Sequence, residues 1–125
     1  MSKLILVVED DEVIRENLQE ILEMEGYAVV LARHGKEALE ILRSQSATPT
    51  ALPFMLLLDL NMPVMPGPEF LKALKNEPAN LATIPVVVMT AVPDAGALDA
   101  VAILRKPIDL DDLLSRIQSL APATT

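Results

Sequence analysis

FMLLLD occupies residues 54–59. Five apolar residues, Phe54–Leu58, run without a polar interruption and stop at a carboxylate, Asp59. A strand with one wet face alternates apolar and polar side chains, whereas a strand covered on both faces is apolar throughout. The run therefore reads as the central strand of a sheet with helices on either side. Such sheets are parallel, because the crossovers that join parallel strands lay helices over both faces.

The remaining sequence alternates in the same sense. Leu4–Val8 (LILVV), Tyr27–Ala32, Ile84–Met89 and Val101–Leu104 read as further strands. Val13–Glu25 carries Ile14, Leu18, Ile21 and Leu22 at i, i+4, i+7 and i+8, the spacing of an amphipathic helix. Asp11 suits its N-cap, and Gly26 suits the position after its C-terminus. Gly35–Arg43 reads as a second helix, with Ala38, Leu39 and Leu42 inward. Pro68 fits the first turn of a third, running to Asn76. Asp109 caps a last helix in which Leu110, Leu113, Leu114, Ile117 and Leu120 recur at helical spacing. Ser44–Pro53 and the proline-rich Asn61–Pro68 (NMPVMPGP) are loops. Only Ala91–Ala100 remains to join the fourth strand to the fifth. A crossover needs at least about ten residues including its helix, so the fourth crossover helix is expected to be shortened or missing. The expected fold is α/β: a doubly wound five-stranded parallel sheet, one domain over residues 1–121, with residues 122–125 as a flexible tail.

Composition narrows the function. The chain of 125 residues is 51% apolar and 22% charged, which favours a globular core over disorder. A formal charge of −8 and the lack of a basic stripe argue against direct nucleic-acid binding. Cys is absent, which excludes disulfides, thiolate metal sites and a Cys nucleophile. No apolar run approaches a membrane span, and LILVV is too short for a secretory core, so a cytoplasmic home without membrane contact is expected.

In a parallel α/β sheet, functional groups gather beyond the carboxyl ends of the strands. The first strand runs into Glu9, Asp10, Asp11 and Glu12, the third ends at Asp59, the fourth at Thr90, and the fifth leads into Lys106. Asp11 and Glu12 read as cap and first-turn charge of the following helix. Glu9, Asp10 and Asp59 would repel one another in a shared cleft, and a hard divalent cation such as Mg²⁺ resolves that repulsion. A carboxylate so placed can attack phosphorus, while a Lys and a hydroxyl hold the phosphoryl oxygens. His34, the only His, sits in a strand-to-helix loop and reads as a capping or surface residue.

LVVEDDEVIRENL, LLLDLNMPVMPG, VVVMTA and LRKP occur in this order over nearly the whole length. With these motifs the chain resembles a receiver domain (CheY-like) of the bacterial response-regulator family. The resemblance implies the flavodoxin-like strand order 2-1-3-4-5. It implies Asp59 as the phosphoacceptor, charged from a phosphohistidine on a sensor histidine kinase or phosphotransfer protein. Asp10, Asp59 and the backbone carbonyl of Asn61 would ligate Mg²⁺, with Mn²⁺ as a substitute, and Glu9 would act mostly through a bound water. Thr90 would bond the phosphoryl group and move on phosphorylation, Lys106 would pair with its oxygens, and Lys106–Pro107 would be cis.

Three departures from the family stand out. The Thr90–Lys106 interval is short, Ile103 stands where an aromatic switch residue is usual, and Pro66 replaces an Asp. The first two bear on switching, which is expected to move Ala91–Ala100 more than Ile103; phosphoacceptance is untouched. The expected protein is a phosphorelay signalling module rather than a conventional enzyme, stand-alone, with output through contact with an unknown downstream protein. The alternatives are a receiver cut from a hybrid kinase or transcription factor, a phosphate-independent pseudo-receiver, and a Mg²⁺-dependent aspartyl-phosphate phosphohydrolase.

Overall fold

A computed structural model describes residues 3–48, 52–60, 64–91 and 100–120. Five strands form one sheet: β1 (Leu4–Val8), β2 (Ala28–Ala32), β3 (Met55–Asp59), β4 (Val86–Thr90) and β5 (Ala102–Arg105). Every neighbouring pair is parallel, in the order β2-β1-β3-β4-β5. The helices among the described residues are α1 (Glu12–Met24), α2 (Gly35–Gln45), α3 (Gly67–Lys75), α4 (Ala79–Ala82) and α5 (Leu110–Leu120).

Strand alternation divides the core in two. In β1, β3 and β4 the even positions Leu6, Val8, Leu56, Leu58, Val86 and Val88 pack against α2 and α3 through Leu39, Leu42, Phe70 and Leu74. The odd positions Ile5, Val7, Met55, Leu57, Val87 and Met89 pack against α1 and α5 through Leu18, Leu22, Leu113 and Ile117. Both faces of the sheet are therefore dry, which is why FMLLL carries no polar residue. Each fully buried aliphatic side chain contributes on the order of 1.5–3 kcal/mol relative to exposure. With no Trp in the chain, Phe70 is the one aromatic buried in the described core.

Local chemistry sets the element ends. Asp11 caps α1, its carboxylate accepting from the Ile14 N–H at 3.1 Å. Gly26 follows α1 at φ +94°, a left-handed conformation that favours glycine. His34 caps α2, its Nδ1 accepting from the Glu37 N–H at 3.1 Å, in line with the capping role expected of it. Asp109 caps α5, accepting from the Asp112 N–H at 3.2 Å.

Four strands start later than the sequence suggests, β2 and β5 by one residue each, at Ala28 and Ala102. β4 begins at Val86 rather than Ile84, because Pro85 between them has no N–H to give the ladder; its carbonyl accepts from the Leu56 N–H at 2.9 Å. β3 begins at Met55, and Phe54 instead sets its ring 5.9 Å from that of Tyr27. The one-turn α4, ahead of β4, was not expected. Residues 92–99 and 121–125 lie outside the described residues, and with them the expectations of a shortened or missing crossover helix and a flexible tail.

Candidate functional site

A parallel sheet brings all its carboxyl ends to one edge, and the register decides which residues stand side by side. Val8 pairs with Leu58, so Glu9 follows β1 at the level of Asp59 on β3. Asp59 pairs with Met89, which leaves Thr90 one step beyond it. Thr90 pairs with Arg105, and the Lys106 N–H donates to the Thr90 carbonyl at 2.8 Å.

These positions assemble a compact charged group. Single carboxylate oxygens of Glu9, Asp10 and Asp59 all lie within 4.8 Å of one another. Lys106 Nζ stands 3.3 Å from Glu9 Oε1 and 3.3 Å from Asp59 Oδ1. Glu9 and Asp59 are buried and Asp10 is exposed, so the cluster has a dry floor and one wet wall. Above it opens a cavity of about 230 Å³ lined by Glu9, Asp10, Asp11, Ile14, Asp59, Ala91 and Lys106.

Burial shifts the protonation of this group. Loss of water, then the hydrogen bond to Asp59, push the Glu9 carboxyl up from 4.5 to about 7. The Asp11 N–H, which donates to Glu9 Oε2 at 3.2 Å, and the Lys106 charge pull the other way without restoring the ordinary value. Burial also works against the Lys106 ammonium, but the Glu9 and Asp59 carboxylates outweigh it and hold that group above its ordinary value. With three carboxylates facing one ammonium, the site carries surplus negative charge whenever all are ionised. Its donors are all oxygens, the set that suits a hard divalent cation.

Thr90 belongs to the same edge, at the last position of β4. It is buried, and it shares the parity of Val86 and Val88, which face α2 and α3. Glu9 and Asp59 share the parity of Ile5, Val7, Met55 and Leu57, which face α1 and α5. The residues lining the cavity do not include Thr90. Lys106–Pro107 is a cis peptide. Asn61, expected to offer its carbonyl, lies outside the described residues. Ile103 lies on the edge strand β5 and is 41% exposed, so this side chain sits outside the core. Pro66 precedes α3 in an extended conformation.

Two further residues hold the site, and neither was singled out from the sequence. The Gly67 N–H donates to the Leu60 carbonyl at 3.0 Å, and a Cβ at Gly67 would lie 2.7 Å from the Leu60 Cα. Only glycine permits that approach, which closes the loop directly after Asp59. Arg15 Nη1 donates to the Glu9 carbonyl at 2.9 Å and to the Asp10 carbonyl at 3.3 Å. The available signal was an Arg in the first turns of a helix that follows an acidic loop, since helical side chains lean toward the N-terminus.

Comparison with known proteins agrees with this geometry. The family model for the response regulator receiver domain matches residues 5–118. The transcriptional regulatory protein CrdR of Helicobacter pylori is 39% identical over 94% of this chain and 54% of that protein. The response regulator MprA of Mycolicibacterium vanbaalenii is 37% identical over 97% of this chain and 51% of its own length. The chain thus spans about half the length of these curated relatives. Among solved structures, the chemotaxis protein CheY4 of Vibrio cholerae superposes with a TM-score of 0.82 at 28% identity, covering 96% of this chain and 99% of that one. The signal receiver domain of a histidine kinase from Syntrophus aciditrophicus gives 0.80 at 31% identity, covering 95% and 89%. Among the described residues no helix is long and apolar enough to cross a membrane. The parallel sheet in its 2-1-3-4-5 order, the acidic cluster at its carboxyl edge and these matches agree on one conclusion: the chain belongs to the response regulator receiver domains, the signalling modules of two-component systems.

Proposed function

We propose that this receiver domain takes a phosphoryl group onto Asp59 from the phosphohistidine of a histidine kinase or phosphotransfer protein, in a Mg²⁺-dependent step, and signals through contact with a downstream protein. The observation that carries this reading is the Asp59 carboxylate, buried yet lining an open cavity, with Lys106 Nζ at 3.3 Å and the Glu9 and Asp10 carboxylates beside it.

Glu9, Asp10 and Asp59 are the residues that would hold Mg²⁺, or Mn²⁺ in its place, together with the Asn61 carbonyl; a cluster of hard oxygens with surplus negative charge fits that ion. When bound, the ion neutralises charge on the carboxylates and on the phosphoryl oxygens. Asp59 is the nucleophile: one carboxylate oxygen forms a bond to phosphorus, and the P–N bond to the partner's imidazole breaks. The electron pair stays on the imidazole nitrogen, which takes up a proton on the partner. Lys106 offers three donors at contacts of 3.3 Å, longer than ordinary charge-assisted hydrogen bonds, so the ammonium can turn toward phosphoryl oxygens without losing a strong bond. Thr90, at the end of β4, contributes a hydroxyl donor to the phosphoryl group. Later attack by water on phosphorus breaks the Asp59 O–P bond and restores the carboxylate.

Intact mass measurement after incubation with Mg²⁺ and a small phosphodonor tests the reading. One added phosphoryl group is expected, labile to hydroxylamine and absent in Asp59→Asn. No adduct from any donor, in a protein that still binds Mg²⁺, would sink it.

A further inference from the structure

We infer that Arg15 is a positioning residue for the acidic site: it braces the backbone of Glu9 and Asp10 so that their carboxylates stand ready for a divalent cation. The inference rests on the reading of Glu9, Asp10 and Asp59 as a Mg²⁺ site.

The chain leaves the sheet at Glu9, whose N–H still donates to the Ala32 carbonyl of β2 at 3.0 Å, and enters α1 at Glu12. Beyond that bond and the one from the Asp11 N–H to Glu9 Oε2, the donor that meets both the Glu9 and the Asp10 carbonyl is Arg15. One guanidinium nitrogen, Nη1, donates to both carbonyls, at 2.9 and 3.3 Å, from a half-buried side chain. Two successive peptide planes are thereby tied to one rigid, planar group, and the backbone torsions between them aim both side chains.

The two carboxylates differ in how much they depend on this brace. Glu9 is held by its own contacts with the Asp11 N–H and Lys106 Nζ. The Asp10 carboxylate accepts no hydrogen bond among the described residues, so its backbone alone places it. The clamp on the Asp10 carbonyl therefore matters most for Asp10.

The sign of the effect separates positioning from charge. Arg15 is a cation near three carboxylates, and by charge alone its removal would strengthen binding of a divalent cation. Loss of a brace does the opposite, and removal of partners that orient metal ligands typically costs about 10–100-fold in affinity.

The test is calorimetric titration of the metal-free protein with Mg²⁺, comparing wild type with Arg15→Ala, Arg15→Gln and Arg15→Lys. Arg15→Ala is expected to bind Mg²⁺ about 10-fold more weakly, the low end of that range. Arg15→Gln, which is neutral but keeps an amide donor, should recover part of the loss. Arg15→Lys, which keeps the charge but not the planar fork, should fall between Ala and wild type. Amide exchange at the Asp11 N–H should quicken in Arg15→Ala, and melting in chelator reports whether each variant is folded. Should the Ala variant fail to fold, the Gln and Lys variants carry the comparison. Affinity unchanged or tighter in the folded variants overturns the inference while leaving the Mg²⁺ site standing. Wild type that takes up no Mg²⁺ overturns both.

Discussion

The raised Glu9 carboxyl makes the stability of the metal-free protein depend on pH in an unusual direction. Glu9 titrates near 4.5 when exposed and at about 7 in the folded chain, where burial and the hydrogen bond to Asp59 favour the neutral form. Below the lower value the residue is neutral in both states and costs nothing. Between the two values the unfolded chain gives up a proton that the folded chain keeps, so stability falls as pH rises. Above the upper value both states are ionised and the loss is complete. The shift from 4.5 to about 7, at about 1.4 kcal/mol per unit, corresponds to about 3 kcal/mol lost across this window.

Glu9→Gln removes the titration and keeps the shape. Urea denaturation followed by circular dichroism, in chelator and at constant ionic strength, measures both proteins from about pH 5 to about pH 8, a span that brackets most of the transition. The difference between the two proteins reports Glu9 together with the Asp59 carboxyl it is bonded to. The two should be similar near the acid end, and Glu9→Gln should be the more stable by up to about 3 kcal/mol near the alkaline end. Mg²⁺ at 100 times its dissociation constant should return about 2.7 kcal/mol to wild type at alkaline pH, and less to the variant. A difference between the proteins that stays flat with pH, or that grows in favour of wild type, refutes the reasoning.

Gly67→Ala should destabilise the fold. Its Cβ would sit 2.7 Å from the Leu60 Cα, and ordinary contacts begin at 3.4 Å. Overpacking of this kind costs about 1–3 kcal/mol, against a helix-propensity gain of at most about 1 kcal/mol, so urea denaturation should show a net loss; an alanine variant as stable as wild type would contradict the close approach. Arg43 links α2 to the end of α3, its guanidinium donating to Glu77 at 2.8, 3.2 and 3.3 Å. The hydrogen bond from Arg43 holds the Glu77 carboxyl below its ordinary value, so this contribution is present at neutral pH and lost as pH falls through the lowered value. A double-mutant cycle of Arg43→Ala and Glu77→Ala should show coupling at neutral pH that shrinks in acid and in high salt, and strictly additive losses at neutral pH would refute it.

Much of this molecule is legible before any coordinates are drawn. LILVV and FMLLL read as buried strands, the second one residue too early at Phe54, and Asp11, Gly26 and Asp109 announce helix ends through chemistry that acts locally. Pro85 shows where such reading slips: Ile84 looks like strand, but the missing N–H one residue later delays the ladder. The helix at Ala79–Ala82 is a single turn, too short to show a period, and rests on Thr83 Oγ1 bonding the Ala79 carbonyl and on Leu81 packing. Glu9, Asp10, Asp59 and Lys106 were legible because strand ends in a parallel sheet share an edge. Counting ends also puts Thr90 at that edge, one step beyond the pair that Asp59 makes with Met89. Arg15 and Gly67 act on backbone atoms several residues away, and no spacing rule encodes that. The high Glu9 carboxyl is equally invisible, since it depends on how much water the folded chain removes.

The odd-and-even division of β1, β3 and β4 has a practical consequence for anyone who rebuilds this protein. It works as an address system. Substitutions at Leu6, Leu56 or Val86 remodel the side that carries α2 and α3, and they leave the floor beneath Glu9 and Asp59 in place. Substitutions at Val7, Leu57 or Met89 reach that floor directly. A library confined to even positions can thus seek thermal robustness, while one confined to odd positions tunes the chemistry of the acidic edge. The two searches can be run separately and their winners combined, because a sheet of backbone stands between them.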